Sequence, residues 1–418
     1  MDRKKKKQAA IKSVVKVEQL RKAMKQRFLD RTKKIITLVG GEDLYDYFTD
    51  IYLEKLFEIR YKMLKAIPAP GSSITKSRVI QFNKLLYELM EGVEVTFPNG
   101  NSIPISWYLE EGMTLASSIN MFETDFDPKM KEVKECFSFC SRDGEFHNDL
   151  QDALIGIVSD TCLMLNDYND HVYMADLDES PCFAEFNMGN EIIIDSFKPK
   201  KETIETRKGM RNAIRLGYFS EDFEWEHVNV KPSLLGFNTI SLDIPLEIYI
   251  TTHAFDRLQE RINITPGIMH RILVLIFIQS EIPHRWKGDA SHVEFRVSDE
   301  KVGYLVLKMD AGKLVIHTFL FLTNNDTFEG EKLGRLLSVV KEDKKYLEID
   351  TLPAFNAYHI DKNEKLSKLF KEAGCGSLLK LGHLQEFTAN QIADKDPESI
   401  LHYLADAPYF RRQASQLD

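Results

Sequence analysis

Apolar residues recur at helical spacing through the first part of this chain and change to strand spacing near residue 290. Ile11, Val14, Val15, Leu20, Met24 and Phe28 predict an amphipathic helix over 8–39. After Gly40-Gly41, the stretch from Asp43 to Ile67 reads as a long helix rich in Tyr, Phe and Leu, stopped by Pro68-Ala69-Pro70-Gly71. Ser73 or Thr75 caps a further helix that runs through Met90. Val93 to Phe97 and Ser102 to Trp107 flank Pro98-Asn99-Gly100-Asn101, a hairpin signature because Asn-Gly accepts positive φ at little cost. A helical period returns from Glu145 to Leu165. Residues 1–175 are thus expected to form a mainly helical domain.

Residues 176–245 form a mixed connecting region, with a strand at Asn190 to Phe197 and a helix at Glu202 to Tyr218 carrying Arg207, Lys208, Arg211 and Arg215. The pattern sharpens after Glu247. Leu246 to Thr251 predicts a strand, followed by a helix bearing His253 and a second helix from Thr265 through Gln279, with Pro266 near its first turn. Three strands follow at hairpin spacing: His292 to Val297, Val302 to Met309 and Leu314 to Leu322. Asp299-Glu300 and Ala311-Gly312 turn the chain between them. A helix from Gly330 to Val340 closes the unit. The expected fold class is α+β: a two-helix plus antiparallel-meander domain over 246–340, then a polar, helical C-terminal extension over 341–418.

Composition narrows the function classes. With 418 residues, 43% hydrophobic and 28% charged, the chain is expected to be globular with two or three domains. Its longest apolar run, Ile272 to Ile278, is too short to cross a bilayer, and no secretory pattern opens the chain, so no membrane association is expected. Five cysteines do not suggest a disulfide framework, and a cytoplasmic protein with reduced thiols is expected. A net charge of -9 argues against general coating of nucleic acid. Yet Lys4 to Lys7, Lys12, Lys16, Arg21, Lys22, Lys25, Arg27, Arg31, Lys33 and Lys34 make a basic arm, either a dock for an anionic surface or a solvated helix face.

The candidate chemistry centres on residues 251–262. In a helix, His253, Arg257 and Arg261 share one stripe, while Ala254, Leu258 and Ile262 form an apolar stripe that can bury against a sheet. One titratable imidazole beside two permanent cations can hold a phosphodiester and move its protons. The same residues could instead cap the helix and pair with Asp256 or Glu260. Trp286, between Arg285 and Lys287, could stack an RNA base or pack a loop. Cys136, Cys140 and His147 have loose metal-like spacing, but no second pair completes a tetrahedral set, and buried thiols are the simpler reading. His147, Asp149 and Asp152 could collect a cation or mark a polar helix start, and Asp176, Asp178 and Glu179 read as a solvated loop. No phosphate-cradling glycine motif occurs; neither a cofactor nor a metal is expected.

His253-Ala254, then Arg257, then Glu260-Arg261, followed by a helix and a meander, resembles the His-Ala-x-x-Arg-x-x-Glu-Arg opening of small bacterial proteins. Those proteins are grouped with the RelE-like and colicin-like toxin nucleases of the barnase–EndoU–colicin–RelE fold. The resemblance covers residues 246–340. It implies metal-independent RNA cleavage with His253, Arg257 and Arg261 on the first helix, and with Thr318 of Val315-Ile316-His317-Thr318 on the last strand. Strand alternation lets only one of His317 and Thr318 face that helix, and the resemblance favours Thr318. His292 and Arg296 are secondary candidates for a second proton transfer and for phosphate binding.

The leading expectation is therefore a toxin-like or phage-defence-like endoribonuclease acting on RNA, held in check by an inhibitory partner protein. Two alternatives accompany it. One is a non-catalytic structural protein of a phage or mobile element, assembling through aromatics such as Tyr45, Tyr47, Phe48 and Tyr52; the other is a nucleic-acid-binding regulator. Oligomeric state is not legible.

Overall fold

Helix α1 (Asp2–Gly40) buries Phe28, Ile35 and Ile36, the continuation of its apolar stripe, in the first of two compact units. The computed structural model describes residues 2–121, 128–140, 144–177, 190–207, 209–220, 224–237, 243–387 and 392–414, without the side chains of 2–16, 128, 130, 385–387 and 412–414. Lys4 to Lys7, Lys12 and Lys16 therefore lie outside the described side chains, and Lys208, Asp178 and Glu179 outside the described residues. Unit 1 comprises residues 1–162 and 173–196; unit 2 comprises 163–172 and 197–418. Together they make an α+β chain. Among the described residues, no single helix is long and apolar enough to cross a membrane.

In unit 1 the helix expected over 43–67 is broken. Thr49 accepts a bond from the Tyr52 amide and starts α2 (Asp50–Ile59), and Lys65–Pro68 is a strand pairing in parallel with Glu191–Phe197. Tyr and Phe at mixed spacing suit either state, and sheet pairing decides. Helix α3 (Lys76–Gly92) starts at Thr75 as expected, and the hairpin closes through Gly100 at φ 85, although its second arm ends at Pro104. Helix α4 spans Glu145–Leu165.

The basic arm is largely paired where its side chains are described. Arg21 meets Glu58 at 2.9 Å, Lys25 meets Glu54 at 2.9 Å, Arg27 meets Glu110 at 3.2 Å and Arg31 meets Glu91 at 3.4 Å. Lys33 and Lys34 stack over Tyr45 and Trp107. These cations hold the helical unit together. Phe48 is buried, and Tyr52 donates to the Ser118 hydroxyl at 2.8 Å, so these aromatics are packing groups too.

Unit 2 is built on an eight-stranded sheet. The segment 202–218, expected as a helix, is an antiparallel hairpin of β1 (Lys201–Thr206) and β2 (Gly209–Arg215). Basic residues four apart imitate a helical stripe there. Thr203, Ile204 and Thr206 instead favour the pleat, and Gly209, at φ 94, closes the turn. Strands β3 (Leu246–Thr251), β4 (His284–Lys287), β5 (Ala290–Val297), β6 (Glu300–Asp310) and β7 (Lys313–Phe321) complete the order β4-β5-β6-β7-β3-β2-β1, with Asn229–Val230 also on β3. The β3–β7 pair is parallel and its neighbours antiparallel.

One face of this sheet carries the core. Helix α5 (Thr252–Ile262) places Ala254, Leu258 and Ile262 there beside Ile248, Ile250, Leu314 and Ile316, and α6 (Pro266–Ile278) adds Leu273 and Phe277. Each fully buried Leu or Ile contributes about 1.5–3 kcal/mol. The segment after 341 is helical but not merely polar: Leu366, Leu369 and Phe370 of α7 (Glu364–Ala373), with Leu378 and Leu381, join the same core. Their three- and four-residue spacing buries one stripe while Glu and Lys face solvent.

Candidate functional site

The face of the sheet opposite that core carries a small buried apolar cluster with polar groups beside it. Tyr249 and Thr251 on β3, Ala213 on β2 and Val315 on β7 lie on this face by strand alternation. Alternation would turn His317 outward and Thr318 into the core, but β7 carries a bulge. Leu307 pairs with Ile316 and Val306 with Thr318, leaving His317 as the extra residue. A bulge resets the alternation. Phe319 and Phe321 consequently enter the core, and both His317 and Thr318 line outer-face cavities. The expectation that only one of them faces the first helix is corrected, because both line a cavity with its His253.

Arg211, Thr251, His253, His317 and Thr318 line one cavity of about 280 Å³. His253 reaches it because Thr251 ends β3 at the sheet rim and caps α5. The Thr251 hydroxyl accepts from the Ala254 amide at 3.1 Å and donates to the His317 carbonyl at 3.2 Å, tying the helix start to the bulge. The His317 ring is held by Asp310, Nε2 to Oδ2 at 2.5 Å, and that aspartate is 6% exposed. With Nε2–H committed to the carboxylate, Nδ1 is the free proton acceptor.

A neighbouring cavity of about 330 Å³ shares His317 and Thr318 and adds Arg207, Lys287, Lys308, Asp289 and His292 among its lining. His292, Val306 and Thr318 are successive partners across β5, β6 and β7. His292 is buried, its Nδ1 has no hydrogen-bond partner among the described residues, and burial pulls its pKa down. Asp289 bridges Lys308 and Arg207 at 2.5 Å each, and those contacts hold its carboxyl below the ordinary range.

The arginines of α5 do not join this site. Arg257 bonds Glu260 at 2.7 Å, and Arg261 bonds Asp350, donating to its carbonyl at 2.9 Å. Because Ala254, Leu258 and Ile262 fill the contact with the sheet, the cationic stripe runs along the flank of the helix, and only His253 in the first turn meets the outer face. Arg296 is bound by Glu294 at 2.5 Å and by the Asp299 carbonyl, at the far end of β5. Trp286 packs edge-on against Phe237, Arg285 lies over Phe328, and Lys287 bonds Glu331 at 2.5 Å. Of that trio, Lys287 lines the second cavity.

Asp310 and the role of Arg211 were not legible in sequence. Asp310 reads as a hairpin end, and Arg211 is masked by the helical spacing of 202–218. Elsewhere, burial pushes the Cys140 thiol up to about 11, in keeping with an inert cysteine. No protein-family model, curated protein or solved structure matches the chain.

Proposed function

We propose that the chain is a metal-independent endoribonuclease whose site is the outer sheet face around His317. The observation that carries this reading is an imidazole fixed by a nearly buried aspartate inside a cavity that His253, Thr318 and Arg211 also line. His317 Nδ1 takes the proton of the ribose 2′-hydroxyl, whose oxygen attacks the adjacent phosphorus. Protonated His253 gives its proton to the departing 5′-oxygen. The products are a 2′,3′-cyclic phosphate and a 5′-hydroxyl. Arg211 supplies a planar, permanent cation for the phosphorane oxygens, and the Thr318 hydroxyl donates to one of them. The Arg207–Lys308–His292 cavity holds the flanking nucleotide.

Here Arg211 takes the phosphate-binding role that the toxin resemblance implied for Arg257 and Arg261. Reduced thiols at Cys136, Cys140, Cys162 and Cys375 suit a cytoplasmic setting, and a restraining partner protein would cover this face. The test is cleavage of RNA by the purified chain in EDTA. His253→Ala and His317→Ala should each lower the rate by about a hundredfold or more. Cleavage untouched by both changes removes the site, and RNA binding without cleavage favours a nucleic-acid-binding regulator.

A further inference from the structure

The C-terminal end of α5 borders a third cavity, of about 430 Å³, for which the cleavage reading has no use. That volume falls in the range that holds a small-molecule ligand, roughly 300–1,000 Å³. Arg257, Arg261, Lys341, Lys344, Lys345 and Lys395 line it against three carboxylates, Glu260, Glu348 and Asp350. The excess of cations stands out in a chain of net charge -9. All three carboxylates are engaged: Glu260 by Arg257, Asp350 by Arg261 and Glu348 by Lys395. Lys341 and Lys345 are exposed and have no ion-pair partner among the described residues.

Lys344 lies deepest, at 2% exposure. Its ammonium donates to the carbonyls of Thr323 at 2.9 Å and Gly330 at 2.7 Å, which leaves one of three N–H groups unused. No carboxylate pairs with it among the described residues, and burial pulls its pKa down to about 8. Asn324 and Asn325, in the turn after β7, line the same cavity, and the NH2 groups of their side-chain amides can donate to an anionic oxygen. Glu331 acts on this ammonium only from beyond contact distance, and a buried ammonium with no carboxylate in contact is costly, so an anionic oxygen in the cavity would offset that cost.

We infer that this cavity binds phosphoryl groups, carried either by an RNA strand or by a free polyphosphate ligand. Such a site stands whether or not the chain cuts RNA. Arg257 lies one helical turn beyond His253 and Arg261 one turn further, about 5.4 Å apiece, so a strand leaving the His253 cavity can reach it.

Titration calorimetry of the full chain with inorganic tripolyphosphate, in EDTA, tests the inference. The wild type should bind, and the double variant Lys341→Ala/Lys345→Ala should weaken binding by about tenfold or more, with Lys344→Met weakening it further. A 2′-O-methylated RNA oligonucleotide, which has no nucleophile, separates the two sources. Displacement of that oligonucleotide by tripolyphosphate assigns the phosphates to RNA, and simultaneous binding assigns them to a free ligand. No binding to the wild type, or a Kd unchanged in the surface double variant, overturns the inference even if Lys344→Met fails to fold. Because the readout is binding, loss of RNA cleavage in His253→Ala does not bear on it.

Discussion

Glu111 in unit 1 offers a perturbation whose size can be worked out. A π-helical turn over Tyr108–Gly112 carries the adjacent Glu110 and Glu111 into the interior. Glu110 has Arg27 at 3.2 Å, but among the described residues the one cation within 4 Å of Glu111 is Arg31 at 3.9 Å, and that guanidinium is shared with Glu91 and stacked on Trp107. Both Glu111 carboxyl oxygens are buried without a hydrogen-bond partner among the described residues. Burial, reinforced by the Glu110 carboxylate, pushes its pKa from 4.5 up to about 8. The folded state therefore holds a proton that the unfolded chain releases above pH 4.5. Folding stability from this group is fully present below pH 4.5 and is lost as pH rises through 8. At 1.36 kcal/mol per unit, the shift sets a ceiling of about 5 kcal/mol on that loss. Glu111→Gln keeps the shape and removes the titration. Urea unfolding of both proteins from pH 4.5 to 9, followed by far-UV circular dichroism, should show the variant pulling ahead as pH rises, by up to about 1.4 kcal/mol per pH unit. A stability difference that stays constant with pH would refute the assignment of a neutral, buried Glu111.

Three further outcomes follow from the second unit. Asp310→Asn leaves His317 without its carboxylate anchor, and RNA cleavage should fall by about a hundredfold with an unchanged circular dichroism spectrum; retained activity would show that Asp310 does not orient the ring. Thr251→Val removes the α5 cap and the bond to the His317 carbonyl, so thermal unfolding should register a loss of about 1 kcal/mol, and an unchanged Tm would deny the cap that role. Gly330→Ala would drive a Cβ into the Asn324 carbonyl oxygen in the turn that shapes the third cavity, with an expected cost of about 1–3 kcal/mol by urea unfolding; a neutral substitution would show that this turn yields.

Elements with both a cap and an apolar stripe could be read from sequence. Thr251 and Ala254-Leu258-Ile262 define α5, Thr265-Pro266 opens α6, and the turns at Asp299 and Ala311-Gly312 delimit the meander. Legibility failed where local pattern and tertiary pairing disagree. Arg207, Arg211 and Arg215 imitate a helix, while hydrogen bonding to β3 makes their segment a strand. The bulge at His317 has no glycine or proline to announce it, because the register on either side is set by which residues the core accepts. That one extra residue moves Thr318 to the outer face. The proposed site thus takes only His253 from the helix that first drew attention to it, and Arg211 rather than Arg257 lines the cavity with it.

The most direct measurement of the central claim is a single-turnover cleavage rate in EDTA on two oligonucleotides, one all-ribose and one with a lone 2′-deoxyribose at the preferred scissile position. Attack by the 2′-oxygen, activated at His317, predicts cutting of the first to a 2′,3′-cyclic phosphate and no cutting of the second at that position. Equal cleavage of both, or a product that never carries the cyclic phosphate, would contradict the account.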